Sequence, residues 1–323
     1  MKVALRKEGC LIGKLTVTAP AKVNLVLSVL GRRPDGYHEL WTLMETISLA
    51  DQVALSSAAG DAVRLTVTGR PVPTGAENLI VRTANLLRKR AAVTRAVDVH
   101  LDKVIPIGAG LGGGSSDAAA TLVGLSRLWH LELAEDELMV LGAEVGSDVP
   151  FFVAMQLRGG SGAAVCTGRG EQVEFVKAAG VHWYVLVVPR EGVSTTAAYR
   201  ALELPIDLTA VPEDAKKTKE AFERGDVEGL RKCSRNDLQR VALSLSAGCR
   251  KVFGRMVSAG LPQAMVSGSG SALFCLCGSR AEAEGYANRL AQYQESEGFE
   301  VLVATGGPGG TARPGAREAG AGG

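Results

Sequence analysis

Nothing in the 323-residue chain approaches the ~20 consecutive apolar residues that a helix needs to cross a bilayer, so no membrane span is expected. Charge of one sign is also missing. The 36 basic residues stand against 34 acidic ones, a formal +2, which excludes a protein that holds nucleic acid through bulk positive charge. Charged residues make up only 22% and hydrophobic ones 46%, the reverse of what an intrinsically disordered chain requires. Cysteine is sparse: the six are scattered, and only Cys275 and Cys277 lie close together. They read as small buried residues of a reducing cytosol and not as a disulfide framework. The Cys275/Cys277 pair could begin a metal site on one strand, but no histidine-rich segment lies nearby. Residues 1–14 carry charges where a signal peptide needs an apolar centre, so export is not expected. No internal repeat is present. What the chain has in excess is glycine, 40 in all, and the glycines cluster.

The length suits about two domains. Strand-like and helix-like segments alternate, the pattern of an α/β or α+β enzyme. A boundary is expected between Gly168 and Gly180, giving domains over residues 14–170 and 180–305. From Gly306 onward Gly, Pro and Ala dominate without an apolar period. Residues 306–323 are therefore expected to be a disordered tail.

The opening strand has a period of two. Leu15, Val17, Ala19, Ala21, Val23, Leu25, Leu27 and Val29 alternate with a set that includes Thr16, Thr18, Lys22, Asn24 and Ser28. That pattern predicts one buried face and one polar face, with Lys22 and Asn24 projecting from the same side. Pro20 predicts an edge position or a bulge, since it has no N–H to donate. Residues 32–36, Arg-Arg-Pro-Asp-Gly, read as a turn. Strands are expected over 62–68 and 97–105, with a helix over 78–92 between them. In the second half a buried strand is expected over 183–188 and helices fill 214–258. Short strands over 263–267 and 272–276 then flank Gly268-Ser269-Gly270. A helix from about Arg280 and a strand over 299–304 complete the run.

The strongest local signal is Pro106-Ile107-Gly108-Ala109-Gly110-Leu111-Gly112-Gly113-Gly114-Ser115-Ser116-Asp117, between a strand and a helix. Ala118, Leu122, Leu125 and Trp129 fall on one helix face, and Ser115, Ser116 or Asp117 can cap the helix. Glycines ahead of a helix let the backbone approach a ligand closely. The helix end adds roughly half a positive charge, which together make a phosphate cradle. No Gly-Lys-Ser/Thr ends the run, so it is not a P-loop. Gly108, Gly110 and Gly113 do form a Gly-x-Gly-x-x-Gly, so a dinucleotide-binding unit is a rival. Its acidic partner would be Glu132, and about a hundred residues precede a motif that normally opens its domain. A merely tight strand-to-helix turn would not need three consecutive glycines and two hydroxyls.

Three separated segments now resemble the motifs of the GHMP kinases, which phosphorylate small metabolites with ATP. They are Ala19-Pro20-Ala21-Lys22-Val23-Asn24-Leu25, the glycine loop with Ser115-Ser116, and Gly268-Ser269-Gly270. Two further strings are Arg33-Pro34-Asp35-Gly36-Tyr37-His38-Glu39-Leu40 and Gly146-Ser147-Asp148-Val149-Pro150-Phe151-Phe152. They look like the branch that phosphorylates the 2-hydroxyl of a cytidine diphosphate-linked methylerythritol, a step of non-mevalonate isoprenoid biosynthesis. The resemblance runs from about Thr16 to Thr305. It implies an α+β, two-domain fold. The N-terminal domain would be like ribosomal protein S5 domain 2 and the C-terminal domain ferredoxin-like, with ATP and substrate meeting in the cleft between them. It also implies a cytoplasmic enzyme, a monomer or weak homodimer, whose partners are small molecules and neither nucleic acid nor membrane.

Carried onto this chain, the resemblance makes Asp148 the catalytic base. Lys22 would hold it ionised and help neutralise the transferred phosphoryl group. Alone, Asp148 would read as a turn carboxylate and Lys22 as a solvated lysine on an exposed strand face; beside the glycine loop they read as a couple. The residue before Pro150 is pushed extended, so the chain is expected to leave its helix sharply near Asp148. Pro106, Ile107, Gly108, Ala109, Gly110, Leu111, Gly112, Gly113, Gly114, Ser115, Ser116, Gly268, Ser269 and Gly270 would bind ATP. Tyr37 would stack on cytosine, His38 would read its polar edge, Tyr199 would be a second stacking aromatic, and Asn24 would bind near the reacting hydroxyl. Mg²⁺ would bridge the ATP phosphates, with Ser116 a possible ligand. The rivals are a homoserine or mevalonate kinase, an NAD(P)-dependent oxidoreductase and a non-catalytic nucleotide-binding module.

Overall fold

The computed structural model describes residues 13–203 and 210–307. The tail expected from Gly306 lies, from residue 308 on, outside the described residues.

The chain begins with two long strands, β1 (Lys14–Arg32) and β2 (His38–Ala58), joined by the expected turn with Gly36 at φ +86°. They pair antiparallel over their whole length. The register shifts at Pro20/Ala21, where proline predicts a bulge, and twice more near Asn24 and Val29. Strand β3 (Val63–Gly69) and helix α1 (Leu79–Ala91) follow, then β4 (Ala96–Lys103), which pairs with β2 and, in parallel, with β3. Helix α1 starts where the sequence predicts, because Asn78 accepts the Ile80 N–H at its N-cap. It stops at Ala92, which adopts the left-handed conformation.

Three helices then pack under this part of the sheet: α2 (Gly113–Leu128), α3 (Glu135–Val145) and α4 (Val149–Leu157). Helix α4 corrects the expectation at Asp148. That residue is in the right-handed helical region at the N-cap of α4, and Pro150 sits in the first helical turn, where its missing N–H costs nothing. A hairpin of β5 (Ala163–Gly168) and β6 (Gln172–Val176) adds to the upper half of β2.

The second half is built on β7 (His182–Pro189), with α5 (Thr195–Ala201), α6 (Glu213–Arg224), α7 (Val227–Cys233), the two-residue β8 (Arg235–Asn236), α8 (Gln239–Leu245) and α9 (Ala247–Ser258). The predicted strand–turn–strand–helix–strand run is present as β9 (Met265–Val266), β10 (Leu273–Cys277), α10 (Arg280–Ala291), the short α11 (Gln294–Glu297) and β11 (Phe299–Gly306). Cys275 and Cys277 are buried within β10. Sheet order runs β3-β4-β2-β11-β7-β10-β9, and the halves meet where Gly306 of β11 pairs with Ile47 of β2.

Strand β1 also departs from its predicted pattern. From Ala19 to Gly31 both of its faces are buried, and Lys22 and Asn24 are only 3% and 2% exposed. The second half supplies the cover: β8 pairs in parallel with Val26 and Leu27, and Gly268 lies against the Lys22 side chain.

Candidate active site

The glycine loop links β4 to α2 and is fixed from both sides. Leu111 O accepts the Lys22 backbone N–H at 3.0 Å, and Ala109 O accepts the Ala272 N–H at 2.9 Å. Gly110 O accepts the Lys22 ammonium at 2.7 Å and the Ser267 hydroxyl at 3.0 Å. Gly110 itself has φ +75°, and a Cβ there would overlap the Ser267 carbonyl oxygen, so only glycine fits. The helix begins earlier than a Ser or Asp cap predicts. Gly112, at φ +70°, is the N-cap and carries no capping side chain. Ser116 is buried with its hydroxyl unpartnered, and Asp117 is drawn into an ion pair instead. Ala118, Leu122, Leu125 and Trp129 are buried as expected, but α2 is buried around most of its circumference.

Lys22 bonds Asn24 Oδ1 as well as Gly110 O, so the two residues share a face as their spacing predicts. Asn24 is completed by donating to the Thr42 hydroxyl at 2.8 Å. Burial pulls the Lys22 ammonium below the usual lysine range, opposed by the negative charge of Asp148 and by Cys166. Among the described residues Lys22 makes no ion pair with Asp148. Lys22 and Asp148, expected from the sequence as a couple, line one cavity and influence each other through charge and not through contact.

At the other end of the site His38 and Tyr199 stack on each other, ring centroids 5.0 Å apart and planes 25° from parallel. Burial, then Arg32, holds the half-buried His38 below the usual imidazole range, so the ring is neutral near pH 7. Tyr37 is 49% exposed, with the Arg169 guanidinium 4.9 Å from its ring centroid. The turn that presents it is held by Asp35, which accepts the Tyr37 N–H at 3.1 Å. Glu39 reinforces it by bonding Arg33 at 2.7 Å and the Gly168 N–H at 3.1 Å.

One cavity of about 1140 Å³ joins these parts. Its wall includes Lys22, Asn24, Tyr37, His38, Asp148, Tyr199, Gly268 and Ser269 together with loop residues 106–115. Ser116 and Gly270 do not reach it. Ser116 is buried behind the loop, and Gly270 packs toward Val193, Val266 and Ala242.

Sequence reasoning missed a buried ion triad beneath the loop. Lys103 donates to Asp51 and to Asp117, each at 2.6 Å, and Asp51 also accepts the N–H groups of Val104 and Ile105 at 2.6 and 2.8 Å. Burial, only partly offset by Lys103 and reinforced by Asp51, pushes Asp117 up to about 8. Arg169 was missed as well. Both Lys103 and Arg169 line the cavity, yet nothing adjacent to either in the sequence marks it.

A glycine loop at a helix start and an aromatic end joined by one cavity are features of a small-molecule kinase, and the comparisons agree. The GHMP kinases N terminal domain matches residues 78–156 and the GHMP kinases C terminal domain matches residues 218–295. The chain belongs to the GHMP kinases. It is 41% identical over 263 residues to the 4-diphosphocytidyl-2-C-methyl-D-erythritol kinases of Bacillus cytotoxicus and Bacillus mycoides, an overlap of 81% of this chain and 88% of each relative. A crystal structure of 4-(cytidine 5'-diphospho)-2C-methyl-D-erythritol kinase superposes at TM-score 0.72 with 36% identity, covering 91% of this chain and all of that one. Within the superfamily, then, the chain is a member of the 4-diphosphocytidyl-2-C-methyl-D-erythritol kinase family. A homoserine kinase from Cytophaga hutchinsonii, at TM-score 0.69 but 17% identity, shares the fold, covering 93% of this chain and 96% of that one. The dinucleotide reading of Gly108, Gly110 and Gly113 is thereby set aside.

Proposed function

We propose that this cavity transfers the γ-phosphoryl group of ATP to the 2-hydroxyl of 4-diphosphocytidyl-2-C-methyl-D-erythritol, giving the 2-phosphate and ADP. One observation carries the reading: the glycine loop, Lys22 and Asp148 share a single cavity with Tyr37, His38 and Tyr199. At about 1140 Å³ it exceeds the ~300–1000 Å³ common for one ligand, as a site for two substrates must.

The phosphates of ATP lie along residues 108–115, facing the free N–H groups at the start of α2 and its dipole. The cytosine stacks on the exposed Tyr37 ring, while the neutral His38, braced by Tyr199, reads its polar edge. Asn24 lies beside Lys22 and binds near the acceptor hydroxyl. Asp148 accepts the hydroxyl proton, and Lys22 offsets charge on the phosphoryl group in transit. In a loose phosphoryl-transfer transition state, positioning and charge dominate over proton abstraction.

Mg²⁺ suits the oxygen donor at the phosphate end, the Ser115 hydroxyl; the Ser116 hydroxyl and Asp117 Oδ1 are both fully buried. When bound with ATP it supplies charge neutralisation. Among the described residues no group of three or more His, Cys, Asp or Glu is placed to hold a metal without the nucleotide. Five described cysteines are unpaired, four of them buried, which suits a reducing compartment such as the cytosol.

A coupled assay of ADP release tests the function. Turnover is expected with the cytidine substrate and not with homoserine or mevalonate, and NAD(P)H is not consumed. Turnover with either other alcohol at equal kcat/KM overturns the assignment.

A further inference from the structure

Asn236 belongs to none of the motifs used so far and does not line the cavity. Its side chain is nonetheless fully engaged. Nδ2 donates to Val266 O at 2.7 Å and to Gly268 O at 2.8 Å, and Oδ1 accepts the Leu238 N–H at 2.9 Å. Its backbone is anchored to β1: Asn236 pairs with Leu27, the Asp237 N–H donates to Leu27 O at 2.9 Å, and Asp237 Oδ2 accepts the Val29 N–H at 2.9 Å. The clamp is thus tied to the strand that carries Lys22 and Asn24.

What it clamps is the peptide between Gly268 and Ser269. That peptide is trans, so its N–H points opposite to its C=O. With Gly268 O directed at Asn236, outside the cavity, the Ser269 N–H is directed to the side on which Gly268 and Ser269 line it. Among the described residues neither the Gly268 nor the Ser269 N–H has an acceptor. Gly268 sits at φ +56° close against Lys22, where a Cβ would come within 3.1 Å of Nζ. A free N–H pair beside an ammonium is an anion site.

We infer that Asn236 is a positioning residue: it holds the Gly268–Ser269 peptide so that the Ser269 N–H faces the phosphoryl group being transferred. Glycine permits the alternative, in which the peptide turns over and presents the Gly268 carbonyl to that group. The inference rests on the proposed site of phosphoryl transfer.

The test uses the full chain and compares wild type with Asn236→Asp and Asn236→Ala. The aspartate is nearly isosteric. It keeps an acceptor for Leu238 but removes both donors and sets a negative charge against two carbonyl oxygens. Losing one preorganised donor costs ~10²–10³ in kcat, so about a hundredfold loss is expected in both variants. KM for the cytidine substrate and ADP affinity by calorimetry should stay near wild type, and the melting temperature should fall by only the few degrees that two unmet carbonyl oxygens cost. A kcat within threefold of wild type overturns the inference. So does a kcat loss matched by an equal loss of ADP affinity or by collapse of the melting temperature, since either makes Asn236 a structural staple. Absence of turnover in wild type is a separate outcome, which overturns the site of transfer itself.

Discussion

The ammonium of Lys22 is bonded to the carbonyl oxygen of Gly110 at 2.7 Å and makes no ion pair with Asp148. Lys22 therefore braces the glycine loop with one bond, while Asp148 acts on it through charge alone. A direct pair would bury the carboxylate's lone pairs against nitrogen. Separation leaves the Asp148 carboxylate free of that nitrogen, as the proposed proton acceptance requires. The second donor to Gly110, the Ser267 hydroxyl, comes from the strand end that leads into Gly268, so loop and lysine are set by both halves of the chain.

The first prediction concerns pH. Burial lowers the affinity of Lys22 for its proton below that of a free lysine, so its charge is lost at lower pH than usual. kcat/KM, which reports groups of the free enzyme, should decline on the alkaline side with a midpoint below 10.5. The folded state binds this proton more weakly than the unfolded chain does. The group's contribution to stability therefore rises with pH between the lowered value and 10.5, while activity falls. A kcat/KM that holds level through pH 10.5, in a protein still folded there, contradicts the role given to Lys22.

Gly110→Ala places a methyl group against the Ser267 carbonyl in a left-handed conformation. Strain of this kind costs about 1–3 kcal/mol, and relief requires the loop to part from the Gly268 turn. ADP affinity, measured by calorimetry, is expected to drop at least tenfold. Unchanged affinity would mean that the loop does not grip the nucleotide.

Asp117 gives a stability signature. Its value of about 8 in the fold lies above the 3.8 of an ordinary aspartate. The stability it contributes is complete below 3.8 and is lost as pH rises to about 8. Asp117→Asn does not suffer that loss. The melting temperature of the variant relative to wild type should climb between pH 5 and pH 8.5. A constant difference across that range would show that Asp117 ionises normally.

The seam between the halves is held by Glu45, which is fully buried and bonded by His182 at 2.9 Å and by the Tyr184 hydroxyl. Gly306 packs directly on that carboxylate, leaving no room for a Cβ. Glu45→Ala strands two buried partners, and urea unfolding is expected to show a loss of about 3–5 kcal/mol. A loss under 1 kcal/mol would mean that the seam is held elsewhere.

Much of this fold is legible in the sequence where local chemistry is decisive. Asn78 and Ala92 bracket α1, and the apolar runs of β7, β10 and β11 lie within a residue or two of their expected bounds. Strand β2 is hidden because Glu45 and Asp51 occupy its apolar register, and only tertiary partners make their burial tolerable. Helix α4 is hidden because Val-Pro-Phe-Phe has no polar face to show a period and its proline reads as a stop. Lys22, Asn24, the glycine loop and Asp148 stand out through family resemblance. Lys103, Arg169 and Asn236 do not, since their partners lie 52, 132 and 32 residues away in the chain and no neighbouring residue distinguishes them.

The most direct measurement is the single-turnover rate of Asp148→Asn with ATP and the cytidine substrate, taken alongside its ADP affinity. The variant preserves size and removes the proton acceptor. The rate is expected to fall by ~10²–10⁴ while ADP binding and melting temperature stay as in wild type. A rate within twofold of wild type would contradict the account, because the carboxylate facing the phosphate loop would then have no part in the transfer.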